Sequence, residues 1–348
     1  MQNYILRQNS VRIPKNISNP VPYDFIIKAC VVSSAIIFGC LYVFIFDTYY
    51  GDSGKFLDLE NYSRFFEDVA ALGSLYYYDN LGFLTLISSE PGWRLIVLFS
   101  SMYFDDPQTF FLTCSVVSIT TFSLFVYINS GRLYPLFFLL NPLVVDLVMS
   151  QIRSSVAVSV FMIAILVSKL PLRLFFTALA VSIHSSVIVL ILIYICSVQL
   201  KKISITSISI ASNWVVRLFI IISLAMVLSL TLSIWREVLL TAIGDRRAIY
   251  QVAVSSALYL VFWFVIGLCL AVTRMPERNA RVAWMVNFVA ISFLLAFFMS
   301  IFGTNGTRFI ALSFPFLLVL LTFFPFLKRF LLFGLIFAYQ GLQYLYWL

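Results

Sequence analysis

Apolar residues in this chain gather into runs of about twenty, the length of a helix that crosses a bilayer, rather than alternating or recurring as an amphipathic stripe. Nine runs bounded by charge, Pro or Gly predict spans: Phe25–Phe46, Thr109–Ile128, Leu133–Ser150, Ser154–Ser168, Leu218–Ile234, Ser255–Val272, Val282–Met299, Phe309–Phe326 and Phe330–Leu348. Between the first two lies Asp47 to Asn80, with seven acids (Asp47, Asp52, Asp58, Glu60, Glu67, Asp68, Asp79) against Lys55 and Arg64. Two further stretches admit alternatives. Leu81 to Phe104 is long enough to cross, yet Glu90, Pro91 and Arg94 stand at its centre, where an unpaired charge costs at least about 2.5 kcal/mol. Leu174 to Val198 is either one span or two short ones broken at Ile183-His184-Ser185-Ser186.

Both choices give eleven crossings, within a range of ten to twelve, with the N-terminus cytoplasmic and the C-terminus outside. Reading the first stretch as a re-entrant or interfacial outer segment and the second as broken puts 15 of the 23 Lys and Arg inside. The same choice brings Arg153 and His184 to one outer face, and it is preferred for that reason. The expected architecture is an all-α polytopic bundle in one transmembrane domain, residues 1–348. It has a cytoplasmic tail at 1–24 and outer loops at 47–80 and 235–253.

Composition agrees: 62% hydrophobic and 11% charged residues, against about 25% charged in ordinary globular chains, exclude a pair of soluble domains. A net charge of +8 would suggest nucleic acid in a soluble protein, but here the basic residues lie singly or in pairs between apolar runs, as topology signals do. No nucleic-acid partner is expected. The five cysteines (Cys30, Cys40, Cys114, Cys196, Cys269) all lie in apolar runs without ligand spacing and are expected to be small buried residues. The polar first 24 residues carry no apolar signal-peptide core, so no removable signal is expected. No internal repeat, Walker A, GxGxxG, HExxH or DxD element is present, and neither cofactor nor metal is expected.

Ionisable residues inside apolar runs are functional candidates, because hydrocarbon makes them costly unless they pair or line a wet cavity. His184, the one histidine, lies in AVSIHSSVIVL and can exchange a proton near neutral pH; the plain alternative is an interhelical hydrogen bond. Arg153, in MSQIRSSVAVSV, can hold phosphate oxygens bidentately, or else snorkel to headgroups. Arg246, Arg247 and Tyr250 in GDRRAIYQ, and Arg308 behind a Gly/Asn/Thr loop, form further anion-site candidates on the outer side. Glu60 and Tyr62 in the acidic loop suit sugar binding or base catalysis, against the alternative of a solvated amphipathic helix. Glu90 sits in SSEPGW, where Pro91 and Gly92 break the segment as expected for backbone lining a cavity, and Arg94 is a ready structural partner for it.

Over residues 139–194 the chain resembles the EpsG family of Wzy-like polysaccharide polymerases. The resemblance rests on Asn141-Pro142, Ile152-Arg153, the basic turn Lys169 to Arg173 and Ile183-His184-Ser185. Glu60-Asn61-Tyr62 and Glu90-Pro91-Gly92-Trp93 match elements further upstream. Where the family often has Arg-Gln-Gly or Arg-Gln-Ser, this chain has Arg153-Ser154-Ser155, which removes any role for that glutamine but not for the arginine. The resemblance implies a GT-C-like membrane glycosyltransferase acting at the outer face of a bacterial inner membrane. Its implied reaction moves a growing glycan from undecaprenyl diphosphate to the next lipid-linked repeat unit, yielding O-antigen, as in lipopolysaccharide, or exopolysaccharide. A chain-length-regulator membrane protein is an implied partner. In these terms His184, Glu90 or Glu60 would be the base, and Arg153 with Arg246, Arg247 or Arg308 would meet the diphosphate. Alternatives are a lipid-linked-sugar transporter or flippase, a single-addition glycosyltransferase, a ligase, and a purely structural membrane subunit.

Overall fold

A computed structural model describes residues 21–50, 56, 58–72, 90–206, 214–243, 256–273, 282–304 and 306–347. Among the described residues every regular element is helical. They are α1 (Val21–Tyr50), α2 (Leu59–Leu72), α3 (Pro91–Ser100), α4 (Pro107–Ser130), a 3-10 helix (Tyr134–Leu140), α5 (Pro142–Met149), α6 (Ile152–Leu166) and α7 (Leu170–Ile183). Then follow α8 (Val187–Thr206), α9 (Trp214–Ile243), α10 (Ala257–Ala271), α11 (Ala283–Ile301), α12 (Thr307–Leu321) and α13 (Phe326–Trp347). Among the described residues four segments are long and apolar enough to cross a bilayer, Lys28–Tyr49, Pro107–Ser130, Trp214–Ile234 and Ala283–Ile301, or five if the bent pair α5 and α6 counts as one broken span. α7, α10 and α12 are shorter apolar helices, as is the apolar part of α8 (Val187–Lys201). The chain is thus a polytopic membrane protein. α11 is buried on nearly all sides, packed by α8, α9, α10 and α12. Peripheral helices instead turn large apolar side chains outward, such as Phe44 and Phe219, as lipid-facing surfaces do.

Several expectations are corrected. Leu133–Ser150 is not one helix but a 3-10 turn followed by α5, because Pro142 lacks an N–H and drives Asn141 to extended backbone. Asn141 then caps α5, its Oδ1 accepting from the Leu143 N–H at 3.0 Å. α5 and α6 meet at 101° across Ser150-Gln151. α1 begins inside the expected tail, and α9 runs to Ile243, well into the expected loop at 235–253. Cys114 is buried and Cys196 half-buried, but Cys30, Cys40 and Cys269 are exposed on outward helix faces; all five are free thiols. These apolar side chains need not be inside when the surroundings are hydrocarbon.

The two uncertain stretches take definite form. α3, at 10 residues, rises about 15 Å, half of a hydrocarbon core. Gln108 Nε2 donates to Asp47 Oδ1 at 3.5 Å, so the end of α1 and the start of α4 lie at one end of the bundle, here called the upper end. Residues 51–55, 57 and 73–89, which include parts of the expected outer loop and the beginning of the stretch Leu81 to Phe104, lie outside the described residues. α7 and α8 are separate helices divided at His184–Ser186. At the opposite, lower end, Arg217 donates to Thr273 O at 2.5 Å and to Asn287 Oδ1 at 2.7 Å, tying α9 to α10 and α11. Lys328 of α13 donates to the Thr273 hydroxyl at 2.5 Å.

Candidate active site

The upper-end site grows from an aromatic cluster. α2 is amphipathic, with Tyr62, Phe66 and Val69 buried at helical spacing and Glu60, Arg64, Glu67 and Asp68 exposed. Tyr62 packs on Trp93 at 6.3 Å and Phe111 at 6.0 Å, and Trp93 packs on Phe110 at 5.9 Å. These contacts lock α2 and α3 against α4. Gly92 then brings α3 against α7: a Cβ there would lie 2.3 Å from Ser182 Oγ and 2.9 Å from the Ser182 carbonyl carbon.

Glu90, just before α3, is the one non-glycine among the described residues with positive φ (56°, ψ 62°). A left-handed backbone costs an ordinary residue about 1–2 kcal/mol, so the surroundings must hold it there. They do. Arg153 Nη1 donates to Glu90 Oε2 at 2.6 Å, and His184 Nδ1 contacts Glu90 Oε1, which also accepts from the Ser185 N–H at 3.4 Å. Arg153 is the second residue of α6 and His184 caps the end of α7, so both breaks in the apolar runs deliver a polar side chain to one carboxylate. Glu90 has 4% of its side chain exposed, against 31% for Arg153 and 11% for His184. Burial alone would raise the Glu90 carboxyl, but the His184 and Arg153 partners outweigh it and hold it well below the usual carboxylate range.

Three properties of this triad bear on chemistry. With Nδ1 taken by the carboxylate, Nε2 is the imidazole nitrogen left to exchange a proton with another group. Arg153 lies 5.0 Å from the Tyr62 ring centroid, and its guanidinium, 31% exposed, presents a fixed positive charge at this end of the bundle. Both Glu90 oxygens are occupied, which makes this carboxylate an orienting group rather than a free base.

Beside the triad, a cleft of about 470 Å³ opens between α3 and α7. Its walls include Gly92, Leu95, Ile96, Phe99, Leu179 and Ser182, and none of Glu90, Arg153 and His184 lines it.

Of the residues singled out in the sequence, the structure brings Glu90, Arg153, His184 and Tyr62 together. Arg308 lies at the same end, its Nη2 3.8 Å from Asp58 Oδ2, and its charge reaches Tyr62. Glu60 does not join them: it is on the exposed face of α2, paired with Arg64 at 2.5 Å. Arg94 does not supply the contacts just described to Glu90; its guanidinium lies 5.6 Å from the Phe65 ring centroid. Arg246, Arg247 and Tyr250 lie outside the described residues. One residue was missed: half-buried Asp146 of α5, whose Oδ2 accepts from Gln151 Nε2 at 2.7 Å and which senses the charges of Asp58 and Arg308. An acid within LNPLVVDLVM meets the criterion that selected His184, and that was the signal available.

No curated protein and no solved structure matches the chain. A model of the EpsG family matches residues 34–339, a span that contains α2, α3 and every residue of the triad. The chain therefore belongs to the EpsG family.

Proposed function

We propose that this chain is a polysaccharide polymerase that transfers a growing glycan from undecaprenyl diphosphate to the next lipid-linked repeat unit. The EpsG family comprises Wzy-like polymerases, and membership supports a membrane protein of polysaccharide synthesis. The observation that carries the finer reading is the Glu90 carboxylate bridging Arg153 and His184 at one end of an apolar bundle. In the proposed step His184 Nε2 takes the proton of the acceptor sugar hydroxyl, whose oxygen bonds to the anomeric carbon of the growing chain. The bond from that carbon to the diphosphate oxygen breaks, and the electron pair leaves on the lipid diphosphate. Arg153 meets this developing charge, with Arg308 as a second cation at the same end. Glu90 fixes the imidazole's orientation and holds the guanidinium in place until substrate arrives. Because guanidinium charge does the work on the leaving group, the proposed step uses no metal.

The proposal includes eleven passes, with the 3-10 turn and α5 together forming the third and the upper end facing the periplasm of a bacterial inner membrane. The GT-C-like architecture expected from the sequence rests on the family alone. A chain-length-regulating membrane protein is the partner this activity would need to set product size.

The test is incubation of the purified protein with lipid-linked repeat units in EDTA, followed by sizing of the glycans. A ladder is expected from the wild type and none from Arg153→Ala or His184→Ala. Unchanged units from folded wild-type protein would sink the polymerase reading.

A further inference from the structure

Glu90 holds Arg153 at its guanidinium tip, and the root of the side chain is held by the break between α5 and α6. The Ser150 and Gln151 N–H groups both donate to the Asp146 carbonyl, at 2.9 and 3.1 Å, which closes the last turn of α5. The Gln151 carbonyl then accepts from the Ser155 N–H at 3.1 Å, so Gln151 belongs to both helices and is the N-cap of α6. Its side chain makes no capping bond forward into α6. Instead Gln151 Nε2 turns back and donates to Asp146 Oδ2 at 2.7 Å, across a bend of 101°. Arg153 is two residues further on, so the direction in which it leaves α6 follows from how Gln151 is held.

Packing does not account for Asp146. It is the one charged residue of α5, and its neighbours Val144, Val145, Leu147 and Val148 are fully buried. The charges of Asp58 and Arg308 reach it, yet among the described residues it has no ion-pair partner. Its carboxylate is met by the side chains of Gln151 and Ser150, the two residues of the break. A carboxylate in an apolar run is costly even when hydrogen-bonded, so packing alone would be served better by an apolar residue. We infer that Asp146 is a positioning residue: through Gln151 it sets the bend between α5 and α6, and through the bend it places Arg153. The inference rests on the proposed function for the work that Arg153 does, and adds what puts the guanidinium in place. Misplacing a reacting group by about 1 Å can cost on the order of 10²-fold in rate, so the bend is a sensitive lever.

The test uses the full-length protein in nanodiscs, the variants Asp146→Ala, Gln151→Met and Asp146→Asn, and two readouts. Gln151→Met keeps the length and bulk of the side chain and removes its amide, so it carries the test where Asp146→Ala fails to fold. The first readout needs no turnover: arginines are modified with phenylglyoxal and read residue by residue by mass spectrometry. Arg153 should react about threefold faster or more in Asp146→Ala and Gln151→Met than in wild type, with exposed Arg64 as the internal reference. The second is the rate of ladder formation. Both variants should lower kcat about tenfold with KM little changed, but should have almost no effect in an Arg153→Lys background, where the guanidinium to be placed is already gone. A merely structural Asp146 would cut both backgrounds by the same factor. Asp146→Asn, whose amide oxygen still accepts from Gln151 Nε2, should stay within about threefold of wild type. Unchanged Arg153 reactivity, equal losses in both backgrounds, or Asp146→Asn as slow as Asp146→Ala would overturn the inference. Raised Arg153 reactivity in a chain that makes no ladder would leave the positioning role standing and remove the polymerase. A ladder with unchanged Arg153 reactivity in both variants would do the reverse.

Discussion

Glu90→Ala separates a buried, organising ion pair from a decorative one. The side chains of Glu90 and Arg153 are 4% and 31% exposed, and removing one partner of a buried pair costs about 3–5 kcal/mol because the other charge is stranded. Water reaching the partly exposed guanidinium lowers this to roughly 2–4 kcal/mol. Alanine inherits the left-handed backbone, so no strain is released in compensation. Glu60→Ala removes the same carboxylate from the pair with Arg64, whose side chains are 75% and 72% exposed, and should cost under about 1 kcal/mol. The pH dependence has a definite sign. The Glu90 carboxyl is depressed in the folded protein, so its contribution is full above its unfolded pKa of about 4.3 and is lost as pH falls through the lower folded value. Denaturant unfolding in a fixed detergent micelle, followed by tryptophan fluorescence, gives both quantities. The gap between wild type and Glu90→Ala should be full at neutral pH and close only in strong acid. Equal costs for Glu90→Ala and Glu60→Ala, within about 0.5 kcal/mol, would refute the argument that the triad organises this end of the bundle.

Arg153→Lys keeps the charge but loses the planar fork that can hold Glu90 and a phosphate together, so the rate of ladder formation should fall roughly 10²-fold while the protein stays folded. A rate within threefold of wild type would show that a point charge suffices. Gly92→Ala places a Cβ 2.9 Å from a backbone carbon of Ser182, an overpacking of about 1–3 kcal/mol that must push α3 off α7. Glu90 should move with it, lowering turnover by up to about 10². Melting temperature and turnover measured on the same preparation check this, and a fully active Gly92→Ala would mean that the close helix approach is not what positions the carboxylate.

The membrane-spanning character was readable in the sequence because hydrocarbon tolerates only long apolar runs. The breaks were less so. Asn141-Pro142 was visible, but apolar composition alone does not distinguish a 3-10 turn plus a short helix from one continuous span. The lower part of α9 stood out, while its continuation through Arg236 and Glu237 read as loop because charge was taken to end the helix along with the apolar run. Glu90, Arg153 and His184 each drew attention as ionisable residues in apolar surroundings, but their meeting is tertiary information that no spacing encodes. Glu60 and Tyr62 seemed neighbours along the chain, yet residues two apart on α2 face different ways, so only Tyr62 reaches Arg153.

The separation of the triad along the chain also sets an order of assembly. Glu90 precedes Arg153 by 63 residues and His184 by 94. At about 5–20 residues per second, a ribosome needs roughly 5–20 s to deliver the histidine after the glutamate. Until Arg153 emerges, the Glu90 carboxylate at the start of α3 has neither of its two side-chain partners, and for 31 residues more it has only one. The site is therefore closed last, by docking of an early segment onto later helices, and a chain stalled before residue 184 holds every upstream helix yet no completed carboxylate bridge.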